Sequence, residues 1–424
     1  MIAKHTTRAR EPTNRLVLAA AASAALLLVA CVSQKSKPPP YSPLILISID
    51  GYRADYLERG LSPNLAALAH DGVRAQALKP AFPTLTFPNH YTIVTGLYPD
   101  HHGIINNRML DPASGKRFVS SDPTLAADPL WWGGEPLWVG AERQGKHAAT
   151  MFWPGSDYAI DGVRPELWKG FDRHVSADDR VAQVLQWVDL PAGQRPDFIT
   201  LYFDQVDHEA HDFGPESRQA FAAITLVDNA LGRLLAGLQQ RHLSDAANLV
   251  IVSDHGMAAA SSERSIALDD LIDLRDIETV DVGVLAGLTA RPGHEEQVEQ
   301  VLLAPHPHMR CWRKTQMPPR LHYGTNARIA PLLCLADEGW TVSTHEALEH
   351  IDHEKHRGEH GYDNDDPNMR ALFVAHGPAF RHSLVVPEFD NVDIYPLLTR
   401  VLGIRAAPND GDFSVVAPLL APAR

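Results

Sequence analysis

Four apolar runs of strand length punctuate this chain, and none of them alternates cleanly between apolar and polar. Residues 44–49, 198–203, 249–252 and 372–375 are hydrophobic at nearly every position, the pattern of strands covered on both faces in a parallel sheet. Stretches with helical periodicity lie between them. One spans 63–70 and another 217–240, where Ala220, Ile224, Val227 and Leu231 recur at helical spacing. A further run, 391–398, predicts a helix start that packs onto the sheet. Strands alternating with helices predict an α/β sandwich, a mostly parallel central sheet flanked by helices. The segment 279–344 breaks the rhythm. Strand-like 280–289 and 340–342, an amphipathic 295–303 and a proline-containing 305–319 predict a small α/β cap lobe. That lobe is inserted into a core made of 44–278 and 345–424.

Length and charge narrow the picture. The chain has 424 residues and a net charge of -14, long enough for a sizeable core. The acidic balance argues against binding a nucleic-acid scaffold, which needs a basic surface. A small anionic substrate stays compatible, because bound dications reverse the local field. Lys4, Arg8, Arg10 and Arg15 precede the uncharged apolar stretch 16–30, which is short for a membrane span and reads as a signal peptide, 1–31. It ends Leu28-Val29-Ala30-Cys31, which resembles a bacterial lipobox. That implies cleavage before Cys31, lipidation of its thiol and a lipid anchor to the outer membrane on the periplasmic side; the alternative is an ordinary secretory signal with Cys31 incidental and a soluble periplasmic protein. Residues 32–43, with Pro38-Pro39-Pro40, read as an extended tether. Cys311 and Cys334 remain; export permits a disulfide between them, and two free buried thiols fit equally.

Candidate chemistry sits where strands end. Asp50 closes the first apolar run, Asp254-His255 follows the third, and Asp207 with His211 and then His360 lie elsewhere. Spaced four apart, Asp207 and His211 share one helical face. Mixed imidazole and carboxylate ligands, enough for two ions, point to zinc or a neighbouring transition metal. His208 and Glu209 read as outer or surface residues. Thr84 and Thr86 each offer a hydroxyl that an adjacent dication or base would activate. Spacing alone does not separate them, and Thr86 before Pro88 also suits a helix N-cap. Asn106 and Asn107 offer amide donors for an oxyanion, or a turn. Phe87, Trp153 and Phe171 offer faces for stacking, or core packing.

The order of motifs resembles the nucleotide pyrophosphatase/phosphodiesterase family of the alkaline phosphatase superfamily. The resemblance is carried by Ser48-Ile49-Asp50-Gly51, Thr86-Phe87-Pro88-Asn89-His90-Tyr91, Val94-Thr95-Gly96-Leu97-Tyr98-Pro99 and His102-Gly103-Ile104-Ile105-Asn106-Asn107. It continues through Phe152-Trp153-Pro154-Gly155-Ser156-Asp157, Asp207 with His211, Ser253-Asp254-His255-Gly256-Met257 and His360-Gly361-Tyr362-Asp363-Asn364. It implies an alkaline-phosphatase-like core and two zinc ions, one held by Asp207, His211 and His360, the other by Asp50, Asp254 and His255 together with Thr86. Thr86 would be the nucleophile, forming a covalent phosphothreonine. Asn107 and the Phe87 amide would hold a phosphoryl oxygen, and Phe87 and Phe171 would sandwich a base. A small nucleotide, cleaved to a nucleoside monophosphate, is the implied substrate. Alternatives are a choline-phospholipid phosphodiesterase of the same family, or a metal-binding lipoprotein without activity.

Overall fold

Apolar runs become strands of a single sheet, and the carboxyl ends of residues 44–49, 198–203 and 248–252 gather on one edge. The computed structural model describes residues 1, 2, 5, 41–350, 355 and 357–422. The leader's apolar stretch, Cys31, the tether as far as residue 40, His353 and His356 lie outside the described residues.

The first half of the core lays down β1 (Leu44–Ile49), α1 (Pro63–Asp71), β2 (Val73–Ala75), α2 (Thr86–Thr95), β3 (Ala148–Met151) and β4 (Leu167–Lys169). There follow α3 (Ala177–Val188), β5 (Phe198–Phe203), α4 (Gln205–Phe213), α5 (Arg218–Gln240) and β6 (Asn248–Val252). The lobe then contributes β7 (Ile277–Asp281), β8 (Leu285–Ala290), α6 (Glu295–Leu302), β9 (Met309–Arg313) and β10 (Leu332–Ala336). The chain returns through β11 (Phe373–His376), β12 (Leu384–Val386) and α7 (Ile394–Leu402).

The sheet runs β12-β2-β11-β6-β1-β5-β3-β4. Strand β1 pairs in parallel with both β5 and β6. The run 372–375 does form a buried strand, but β11 lies antiparallel to β6 and β2. Burial on both faces fixes an apolar pattern and carries no information about direction. Leu44 and Leu46 share an apolar cluster with Tyr91, Val94 and Leu398 of α2 and α7. Helices α1, α3 and α5 pack together in a second layer. Ser217 caps α5, its hydroxyl accepting from the Ala220 amide. That helix is long and apolar enough to cross a membrane, yet Ala220, Ile224, Val227 and Leu231 are all buried, as expected of a core helix.

The lobe is a four-stranded antiparallel sheet, β7-β8-β10-β9, with its own apolar cluster. Cys311 and Cys334 face each other across β9 and β10 and are joined by a disulfide. The cluster includes Leu268, Ile272 and Ile277, upstream of residue 279, because a short strand at Ser265–Ala267 pairs in parallel with Thr341–Ser343. The lobe is seated on the core by polar groups, the buried Asp100 and the half-buried Arg328. Asp100 accepts from the amides of Gly324, Thr325 and Asn326 at 3.2, 3.0 and 2.9 Å. Arg328 donates to the carbonyls of Gly103 and Leu130 at 2.7 and 2.6 Å.

Candidate active site

Each candidate ligand is delivered by the end of a different piece of backbone. Asp50 follows β1, Asp254 and His255 follow β6, and α4, which starts just after β5, carries Asp207 and His211 on one face. His360 arrives beside them because Gly358–Glu359 pairs antiparallel with Ala258–Ala259. Carboxyl ends of parallel strands are where such sheets place their sites. Two glycines permit the convergence. Gly51 has φ +67, and a Cβ there would lie 2.9 Å from the Asp207 Cα. A Cβ on Gly358 would lie 2.2 Å from the Ala210 carbonyl oxygen.

Two groups of three result, Asp207 with His211 and His360, and Asp50 with Asp254 and His255. Stacked rings of His255 and His360, with centroids 3.6 Å apart, join them. In every histidine Nδ1 is engaged by a backbone carbonyl: His211 with Gly358 at 2.8 Å, His255 with Gly256 at 2.9 Å and His360 with Thr84 at 2.8 Å. Such bonds fix the tautomer and turn Nε2 inward as a ligand. Those nitrogens face carboxylate oxygens. His255 Nε2 is 2.9 Å from Asp254 Oδ2 and 3.5 Å from Asp50 Oδ1; His211 and His360 Nε2 are 3.5 and 3.7 Å from Asp207 Oδ1. Those three oxygens are buried and lack a hydrogen-bond partner among the described residues.

Such an arrangement fits cations. Burial, then the charges of Asp254 and Asp207, push the Asp50 carboxyl well above its usual range. Burial, then His255 and His211, hold His360 well below the usual imidazole range, so its Nε2 lone pair faces an unpaired carboxylate oxygen. A positive ion between them relieves that opposition. Mixed nitrogen and oxygen donors suit zinc.

Thr86 is the first residue of α2, and Leu85, not Thr86, occupies the cap position. The Thr86 hydroxyl is therefore free of the backbone and lies 3.2 Å from His255 Nε2. The competing hydroxyl of Thr84 is buried, donating to the Tyr362 carbonyl at 3.0 Å and accepting from the Gly361 amide at 2.9 Å. Asn107 Oδ1 accepts from the Phe87 amide at 3.0 Å. That amide, expected to meet a phosphoryl oxygen, is thus already engaged, and the Asn107 NH2 is the donor left for one. Asn106 instead closes a turn, accepting from the Arg108 amide at 3.3 Å.

Among the aromatics, Trp153 is withdrawn into the core, its indole N–H donating to the His90 carbonyl at 3.1 Å. The Phe87 ring packs on Phe118 and Trp132. Phe171 packs on Phe152 and Tyr202 and is 50% exposed. His208 is exposed and bonds Arg173. Sequence reasoning passed over Tyr202, whose hydroxyl donates to Asp50 Oδ2 at 2.6 Å, and Ser48, which meets His90. Each is a polar side chain inside an otherwise apolar strand, a signal that it has a buried partner.

Comparison with known proteins agrees with this geometry. The profile of the type I phosphodiesterase/nucleotide pyrophosphatase family matches residues 44–363. An uncharacterised pyrophosphatase/phosphodiesterase of Schizosaccharomyces pombe is 40% identical, covering 89% of this chain and 80% of that protein. Bovine ectonucleotide pyrophosphatase/phosphodiesterase family member 3 is 39% identical over 89% of this chain, which spans only 44% of that longer protein. The solved structure of murine ectonucleotide pyrophosphatase/phosphodiesterase 5, as an inactive threonine-to-alanine variant in complex with AMP, superposes with a TM-score of 0.84. It is 33% identical and covers 90% of this chain and 100% of that one. The chain belongs to the type I phosphodiesterase/nucleotide pyrophosphatase family and has its alkaline-phosphatase-like fold.

Proposed function

We propose that this protein is a two-zinc phosphodiesterase that cleaves nucleotide phosphodiester or pyrophosphate bonds and releases nucleoside monophosphates. One observation carries the reading: a free hydroxyl on the first turn of α2 stands 3.2 Å from a histidine of two adjoining ligand triads. Asp207, His211 and His360 would hold one ion, and Asp50, Asp254 and His255 the other. Ions so held would supply Lewis-acid stabilisation of the phosphoryl oxygens.

The residues of the chain do the rest. Thr86 Oγ1 forms a bond to phosphorus as the bond to the leaving oxygen breaks, and the threonine proton ends on that oxygen. Water then attacks the phosphothreonine, returning a proton to Thr86 and freeing the monophosphate. The Asn107 NH2 meets a non-bridging oxygen where charge develops. The half-exposed face of Phe171 receives the base, with Phe87 as its counterpart. AMP bound to the murine relative supports a small nucleotide as substrate.

Comparing turnover of the p-nitrophenyl esters of thymidine monophosphate and of phosphocholine tests this choice. The thymidine ester should be favoured by about tenfold or more, the worth of one stacking contact at about 1–3 kcal/mol. Preference for the phosphocholine ester would make the protein a choline-phospholipid phosphodiesterase instead.

The Cys311–Cys334 disulfide supports export into an oxidising compartment, and with it we propose a lipid anchor on Cys31. A Cys31→Ser variant should leave the membrane fraction for the soluble one. If the variant stays with membranes, the anchor lies elsewhere.

A further inference from the structure

The imidazole of His90 is wholly buried and serves none of the ligand positions. It lies where the helix of Thr86 meets Asp254. Nδ1 is 2.9 Å from the Thr86 carbonyl oxygen and 3.2 Å from Asp254 Oδ2. Nε2 is 2.8 Å from Ser48 Oγ, near the end of β1. Trp153 and Tyr202 pack edge-on against the ring at 5.0 and 5.1 Å, so it cannot turn away.

Proton positions follow from the partners. Both oxygens facing Nδ1 accept only, so Nδ1 carries the proton and donates it to the Thr86 carbonyl. Nε2 then accepts from the Ser48 hydroxyl, which fixes this tautomer. One N–H therefore holds the backbone of Thr86 and places its positive end 3.2 Å from the Asp254 carboxylate.

We propose that His90 is a positioning residue: it braces the first turn of α2 beside Asp254, holding Thr86 Oγ1 in register with the second ligand triad, and Ser48 sets its tautomer. This rests on the reading of Thr86 as nucleophile. Holding the two together matters because a misplacement of about 1 Å costs about a hundredfold in rate. Groups that orient metal ligands are typically worth about tenfold to a hundredfold in activity or metal affinity.

The test uses two amides that remove the ring equally but keep different nitrogens. The side-chain nitrogen of His90→Asn replaces Nδ1, and that of His90→Gln replaces Nε2. On full-length zinc-loaded protein, His90→Gln should lower kcat by about tenfold to a hundredfold with KM little changed, whereas His90→Asn should stay near wild type. Ser48→Ala, which spares the ring altogether, should lower kcat severalfold. A ring that only fills space would make both amides fall together, with loss of thermal stability, and equal kcat for the two would overturn the proposal. Zinc affinity, measured by competition with a chromophoric chelator, needs no turnover. It should weaken in His90→Gln and hold in His90→Asn, and equal affinities would overturn the proposal even if the wild type hydrolysed none of the esters tried. Should neither amide variant fold, an unchanged kcat and unchanged zinc affinity in Ser48→Ala would be decisive against it.

Discussion

Replacing Thr86 by alanine should lower phosphodiesterase turnover by about four orders of magnitude or more, the scale seen when a covalent nucleophile is deleted. The chain should fold as before. Among the described residues Thr86 Oγ1 has a hydrogen bond with His255 alone, Leu85 holds the cap position, and so no backbone donor is stranded. Zinc content should be retained, since each triad of carboxylates and imidazoles is complete without it. Thr86→Ser keeps a hydroxyl in the same place and should keep measurable turnover. The neighbouring Thr84→Ala has a different consequence. It removes a hydroxyl bonded to Tyr362 and Gly361, so it should loosen the loop bearing His360 and cost stability of about 1–3 kcal/mol. Rapid turnover by Thr86→Ala, or trapped phosphate on any other residue, would remove Thr86 from the chemistry.

Much of this was legible in the chain, and the reason is local. Asp50, Asp207, His211, Asp254 and His255 all follow apolar runs or share a helix face, so a pattern of a few residues marks them. Strand existence was legible for the same reason. What escaped depends on contacts between distant segments. The antiparallel course of β11 has no local mark, because a strand buried on both faces looks alike in either direction. The upstream reach of the lobe depends on residues 265–267 pairing with 341–343. Tyr202 and Ser48 are register partners in adjacent strands, and only that pairing shows their hydroxyls reaching Asp50 and His90. Choosing between Thr84 and Thr86 likewise needed the start of α2, since both hydroxyls look alike in the sequence. The resemblance to a family ranked them, and the geometry supplies a physical reason for that ranking.

Chelation should abolish activity and lower the thermal midpoint, and both should recover with zinc. The stabilising term follows from linkage: a ligand bound only by the folded chain, at about a thousand times its dissociation constant, contributes about 4 kcal/mol per site. The same ions would relieve three buried carboxylate oxygens that have no hydrogen-bond partner among the described residues, so their loss would leave Asp50, Asp207 and Asp254 opposing one another. Counting ions separates two sites from one. Asp207→Asn weakens the triad with His211 and His360, and Asp50→Asn weakens the triad with Asp254 and His255. Each variant should retain about one zinc per chain by elemental analysis, against about two in the wild type, with turnover lost in both. A single shared ion would vanish from both variants alike. Activity and thermal midpoint that ignore the chelator would mean that these facing lone pairs are held apart by protons, and the zinc chemistry assigned to the site would fall with them.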